Sequence, residues 1–209
     1  MEHAVLTQLS EQHYLEGETT SQIWHEYVAG EVFSIAGGSK AHNIISGNVF
    51  ALSRATQHGS GCQTFIADMR VRIIKQSSYY YPDVVVTCAP SDLAHDAPKD
   101  HIASPSLIVE VLPPSTEAID RREKMLAYRH IDSLREYVLI DQERRWIKVY
   151  RRAGSGWVAD LYSPGDTISL NPSQLNPSTL NPDTSNTAPL DRGTLNFGMD
   201  DVYEGSGVA

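Results

Sequence analysis

An acidic side chain interrupts the apolar run at 106–112, SLIVEVL, where Glu110 lies between Val109 and Val111. Strand alternation puts Ile108, Glu110 and Leu112 on one face. An ionised carboxylate there is costly unless it is paired, metal-bound or protonated. A buried ion pair with an arginine is one solution. A second acid, Asp83, follows Pro82 and opens the β-branched run Val84-Val85-Val86. Taken alone, Pro-Asp ahead of a strand is ordinary turn chemistry. Taken together, the two acids suggest more, because two strands joined by a polar loop can lie side by side and bring both carboxylates to one end. Converging carboxylates without a histidine cluster suit a hard cation, Mg²⁺ or Mn²⁺. Such a cation can hold a phosphate and activate water. The same chemistry calls for a cationic side chain near the attacking water. Residue 112 is leucine, so the strand does not supply it. Lys124, in the following helical segment, is the candidate; the alternative is a surface pair with Asp120, worth about 0.3 kcal/mol.

These residues need elements to hold them. Residues 5–24 read as a polar helix with a loop near Gly17. HEYVAGEVFSIAGG, 25–38, reads as two short strands around Ala29-Gly30, and Ser39 can cap a helix in which His42, Ile45, Val49, Leu52 and Thr56 share a face. Strands follow at 62–67, 69–74 and 79–87, then a polar loop at 89–105 and the Glu110 strand. Ser115–His130 is expected to be helical, and strands are expected at 136–141, 146–151 and 157–162. From Leu170 a unit, LNPSQ LNPST LNPDT, repeats three times. Asn-Pro breaks helices and sheets, so 171–190 reads as an exposed or disordered insertion. Residues 191–209 read as a return to the body and a tail. The order gives an α+β class with one domain over 1–170.

Composition bounds the alternatives. The chain has 209 residues, of which 41% are hydrophobic and 21% charged, ordinary for a globular protein able to bury a core. There is no apolar run of membrane-spanning length and no secretory signal pattern. Cys62 and Cys88 are too few for a metal cage or a disulfide framework, and a reducing cytoplasm is the simple expectation. The net charge of −9 argues against a nucleic-acid partner. Its distribution argues the other way: residues 121–152 carry ten basic and five acidic side chains, while the remainder is strongly acidic. A local basic face is compatible with a polyanion, and equally with a solvated helix and hairpin of mixed charge.

Five segments together resemble the Uma-type restriction endonuclease family of the PD-(D/E)XK nuclease superfamily. They are HEYVAGEVFSIAGGSKAHNIISGN at 25–48, FIADMRVRI at 65–73, YYYPDVVVTC at 79–88, LIVEVLPPSTEAIDRREKMLAYR at 107–129 and LREYVLIDQERR at 134–145. The resemblance implies a restriction-endonuclease-like core, a mixed sheet flanked by helices. It implies Asp83 and Glu110 as metal ligands, the Val111 carbonyl as a further ligand, and Lys124 in place of the lysine missing at position 112. Glu31 matches the acid of the family's GE segment and His42 the histidine of its first core helix. On pattern alone Glu31 is a strand-edge residue and His42 a core histidine. One departure stands out: the family's Ser-Pro-Ser-Thr is Pro113-Pro114-Ser115-Thr116 here. Pro113 removes an N–H donor and stiffens the exit from the strand.

The resulting expectation is a Mg²⁺- or Mn²⁺-dependent endonuclease acting on DNA, with Arg121, Arg122 and Arg129 touching backbone phosphates. A homodimer, a cytoplasmic location and no membrane partner go with it. The alternative is a catalytically inactive nucleic-acid- or protein-binding module on the same fold. The acidic net charge and Pro113 favour that alternative; an intact set of Asp83, Glu110 and Lys124 opposes it.

Overall fold

A computed structural model describes residues 8–35, 37–113, 120–173 and 194–208, without the side chains at 120 and 121. The chain begins with helix α1 (Glu11–Glu18), capped by the Ser10 hydroxyl, and the hairpin β1 (His25–Val28) and β2 (Glu31–Ser34). Ala29 and Gly30 turn that hairpin with φ of 49° and 103°, a geometry that glycine adopts without strain. Helix α2 (Lys40–Gln57) follows, with Ser39 as its cap.

Strands β3 (Gln63–Ile66), β4 (Arg70–Ile73), β5 (Ser78–Tyr80) and β6 (Val84–Thr87) come next. The reading of 79–87 as one strand is corrected here. The chain breaks at Tyr81-Pro82-Asp83, leaving β5 in one sheet and β6 in another. Pro82 has no N–H for a ladder, so the strand must end or change sheets there. The expected loop at 89–105 holds a short helix α3 (Pro90–Leu93) and strand β7 (His101–Ile102). Strand β8 (Pro105–Leu112) is buried at every position. Of the helix expected at 115–130, the described part is a π-helical turn, Asp120–Lys124, running into α4 (Met125–Tyr128); 114–119 lie outside the described residues. Strands β9 (Glu136–Asp141), β10 (Ile147–Ala153), β11 (Gly156–Tyr162), β12 (Thr167–Leu170) and β13 (Leu195–Gly198) and helix α5 (Met199–Tyr203) complete the order.

Six strands form the sheet β11-β10-β9-β8-β6-β3, and five form β2-β1-β5-β4-β7. The β8–β9 pair is parallel, with Glu110 opposite Leu139 and Leu112 opposite Asp141. Its connection passes through α4, as a parallel crossover requires. Each face of the six-stranded sheet has its own core. Val84, Val109, Val111 and Val138 pack with Ile45 and Val49 of α2 and with β12, β13 and α5. Val85, Ile108, Leu112 and Leu139 pack on the other face with Met125 and Tyr128 of α4 and with Val71, Ile73 and Tyr80 of the five-stranded sheet. β13 pairs antiparallel with β12.

Two further expectations need correction. Cys62 and Cys88 are joined in a disulfide. They flank the paired ends of β3 and β6, where Gln63 opposes Thr87, and that juxtaposition cannot be read from a separation of 26 residues. The repeat does not begin as an exposed segment: Pro172 is buried, and the Asn171 N–H donates to Glu136 Oε2 at 2.7 Å. Residues 174–190 of the repeat lie outside the described residues.

Candidate active site

The strand break at Pro82 places Asp83 at the mouth of the six-stranded sheet, ahead of Val84, which pairs with Val109. The Ala67 N–H donates to the Asp83 carbonyl at 2.9 Å, which ties this end of β6 to the end of β3. Asp83 Oδ2 accepts the Val111 N–H at 2.6 Å, so the carboxylate is locked against the strand that carries Glu110. Its Oδ1 faces His42 Nε2 at 3.1 Å. His42 stands on the first turn of α2, directed by the Ser39 cap. The Asp83 carboxylate raises the imidazole above its ordinary pKa against the opposing effect of burial, and the Val111 backbone adds to the rise.

Glu110 projects from the face of Ile108 and Leu112, as alternation predicts, and is 6% exposed. Among the described residues it is met there by a lysine and a tyrosine. Tyr128 donates its hydroxyl to Glu110 Oε1 at 2.8 Å, and Lys124 Nζ lies 3.5 Å from the same oxygen. Lys124 also meets Glu26 Oε1 at 2.9 Å and sits over the Tyr80 ring at 5.8 Å. It is nearly buried, which is not the setting of a surface lysine. Burial pushes the Glu110 carboxyl up to about 8; Lys124 and the Tyr128 hydroxyl oppose the rise, and Asp83 and Glu26 add to it.

Of the residues singled out from sequence, the fold draws Asp83, Glu110, Val111, Lys124 and His42 together. Glu31 is not drawn in: it lies on the exposed β2, opposite Val28. The hairpin carboxylate that reaches Lys124 is Glu26, which the sequence reading missed. Its partner Tyr81 donates a backbone N–H to Glu26 Oε1 at 3.4 Å. Only the β1–β5 register, Tyr27 opposite Tyr79, shows that Glu26 shares a face with Tyr80. Tyr128 was also missed, although its position four residues after Lys124 puts it on the same helix face. Arg122 is exposed on the π-helical turn, whereas Arg129 lies at the other end of α4. The Arg129 carbonyl accepts from Arg152, near the start of β8. The Arg121 side chain lies outside the described residues.

The oxygen donors fit a hard cation. Two carboxylates and a strand carbonyl are the hard ligands Mg²⁺ takes, and that ion keeps several waters. Among the described residues no group of three or more His, Cys, Asp or Glu side chains is arranged to hold a metal ion. A carboxyl as buried as Glu110, beside two other acids, is a place where a cation relieves repulsion.

A mixed sheet flanked by helices, with acids at the mouth of adjacent strands, defines a restriction-endonuclease-like fold. A solved structure supports this: the chain matches "a putative nuclease belonging to DUF820" from Anabaena variabilis with a TM-score of 0.67, at 14% identity, over 93% of this chain and 97% of that one. The Uma2 model, described as "Putative restriction endonuclease", matches residues 10–180, and the chain belongs to that family. Two proteins of Synechocystis sp. are similar to it. Uncharacterized protein slr1290 is 34% identical over 80% of this chain and 87% of its own. Uncharacterized protein sll1609 is 35% identical over 68% and 79%. Family and fold together support a nuclease. No described helix is long and apolar enough to cross a membrane.

Proposed function

We propose that the chain is a metal-dependent endonuclease that hydrolyses phosphodiester bonds of DNA. The observation that carries this reading is the convergence of Asp83, Glu110 and the near-buried Lys124 on one end of β6 and β8. Asp83, Glu110 and the Val111 carbonyl would hold Mg²⁺ or Mn²⁺, which polarises the phosphate and lowers the pKa of bound water. Asp83 is pre-oriented by the Val111 N–H, and its second oxygen, which faces His42, would be the one to hold the cation. Tyr128 fixes the rotamer of Glu110. Lys124, held by Glu26, directs an ammonium at the place where water and scissile phosphate would meet and stabilises charge that develops there. Pro113 does not remove a donor that the site uses, because the N–H that holds Asp83 belongs to Val111.

Calorimetry of Mg²⁺ binding, with plasmid nicking on the same samples, tests this reading. Wild type should bind and nick. Asp83→Asn and Glu110→Gln should lose both, and Lys124→Met should lose nicking while keeping the metal. Metal binding without cleavage of any nucleic acid would favour the inactive binding module, and no binding at millimolar metal would sink the assignment.

A further inference from the structure

Among the described residues, five of the eleven exposed large apolar side chains group on one hairpin, while Ile66, Ile74, Leu126, Val158 and Leu161 lie on other elements. Ile23, Trp24, Val32, Phe33 and Ile35, exposed by 55, 43, 40, 49 and 37%, all lie on the β1–β2 hairpin and its flanks. A concentration of this kind on one edge marks an interaction surface. Its position relative to the site is fixed by register. Phe33 opposes Glu26 across the hairpin, so both project from the face on which Glu26 meets Lys124. The Trp24 ring stacks on Tyr81 at 5.8 Å and 28°, two residues before Asp83. The Ile35 N–H donates to the Trp24 carbonyl, and the chain then runs on to Ser39 and His42. The apolar rim therefore borders the acids directly.

Charge narrows what could lie on it. Duplex DNA hides its base faces and is gripped through its phosphates by lysines and arginines. This chain is −9 overall, and of the cations around the strand mouth Lys124, Arg144 and Arg145 are paired with Glu26, Asp141 and Asp200, which leaves the exposed Lys40 and Arg122 to meet phosphates. Unpaired bases offer what a duplex hides, π-faces that stack on aromatic side chains and add binding beyond the phosphate contacts that both forms share.

We propose that Trp24 and Phe33 form a stacking platform for unpaired bases, so that the site takes single-stranded nucleic acid. This rests on the nuclease reading and specifies the form of its substrate. The test is fluorescence anisotropy of a labelled oligothymidylate and of a duplex of equal length, with the full chain in EDTA so that nothing is cut. The single strand should bind about tenfold more tightly than the duplex, and Trp24→Ala and Phe33→Ala should each cost about tenfold, the scale of one lost stack. Trp24→Phe should restore most of the affinity. With Trp146→Phe and Trp157→Phe leaving Trp24 as the lone tryptophan, the single strand should quench its emission. Equal or tighter duplex binding would overturn the proposal, as would unchanged affinity in both alanine variants. Alanine variants that split a dimer in sedimentation without changing affinity would also overturn it, making the patch a subunit interface. Calorimetry of Trp24→Ala separates the two readings: metal binding should survive there, whereas its absence from wild type would count against the nuclease reading and leave the anisotropy result standing.

Discussion

Lys124 lies between two carboxylates, and its energetics follow from how little water reaches it. The side chains of Lys124 and Glu26 are 11% and 17% exposed. Removing one member of such a pair leaves a charge uncompensated, so Lys124→Met or Glu26→Gln alone should cost about 3 kcal/mol in urea unfolding. The double variant should cost clearly less than the sum, because neither charge is then stranded. Full additivity would show that the pair does not act as a unit. Tyr128→Phe deletes one hydroxyl and no volume. It should cost about 1–2 kcal/mol, since Glu110 Oε1 loses its shortest donor. It should also weaken Mg²⁺ several-fold in calorimetry by freeing the Glu110 rotamer. An unchanged metal affinity would mean that Glu110 is positioned by Lys124 alone.

At the scale of elements, the β9–β10 connection shows how a turn is held. Asp141 ends β9 and accepts from the Glu143 N–H at 2.8 Å, the Arg144 N–H at 3.0 Å and the Arg144 guanidinium. Burial works to raise its pKa, but these donors outweigh it and hold the carboxyl below the usual range. A depressed folded pKa stabilises above the unfolded value, about 3.9, and that contribution is lost as pH falls through the folded value. Asp141→Asn should therefore cost about 2 kcal/mol near pH 7, and the gap from wild type should close toward pH 2. A gap independent of pH would assign the loss to packing. The disulfide acts on β3 and β6 in another way, by closing a loop in the unfolded chain. Reduction, or Cys62→Ser with Cys88→Ser, should lower stability by about 3 kcal/mol in denaturant titrations.

Across the whole molecule, the six-stranded sheet is a septum between two cores, and the site sits where both faces reach its end. His42 comes from the α2 side and Lys124 from the α4 side. Leu139, fully buried beside Glu110 in the parallel pair, belongs to the core that seats α4. Leu139→Ala should cost about 3 kcal/mol through lost burial and the cavity left behind. It should weaken cleavage as well, because α4 carries the floor under Lys124. A cost below 1 kcal/mol would show that the layer can collapse around the gap.

Local signals were enough to read much of this protein from sequence. The Ser39 cap and the apolar spacing of α2, the hairpin at Ala29-Gly30 and the pattern of β8 around Glu110 are set by residues near in sequence, whose propensities act over a few positions. The same short range explains why Glu110 could be singled out, since it breaks an apolar strand pattern; Asp83 and Lys124 are ordinary in their local settings and gained weight from their relation to Glu110 and from the family resemblance. Tertiary structure alone decided the rest. Glu26 rather than Glu31 reaches Lys124 because β1 is the inner strand, paired with β5, while β2 is the outer strand of the sheet, an order that composition does not show. Pro82 splits one apparent strand between two sheets because a missing N–H matters only once a neighbouring strand needs it. Cys62 meets Cys88 because β3 and β6 pair in that register, and Tyr128 finds Glu110 because α4 crosses β8 at that height. Sequence fixes which groups can do chemistry, since that is a property of side chains; which groups meet depends on long-range packing that no local pattern encodes.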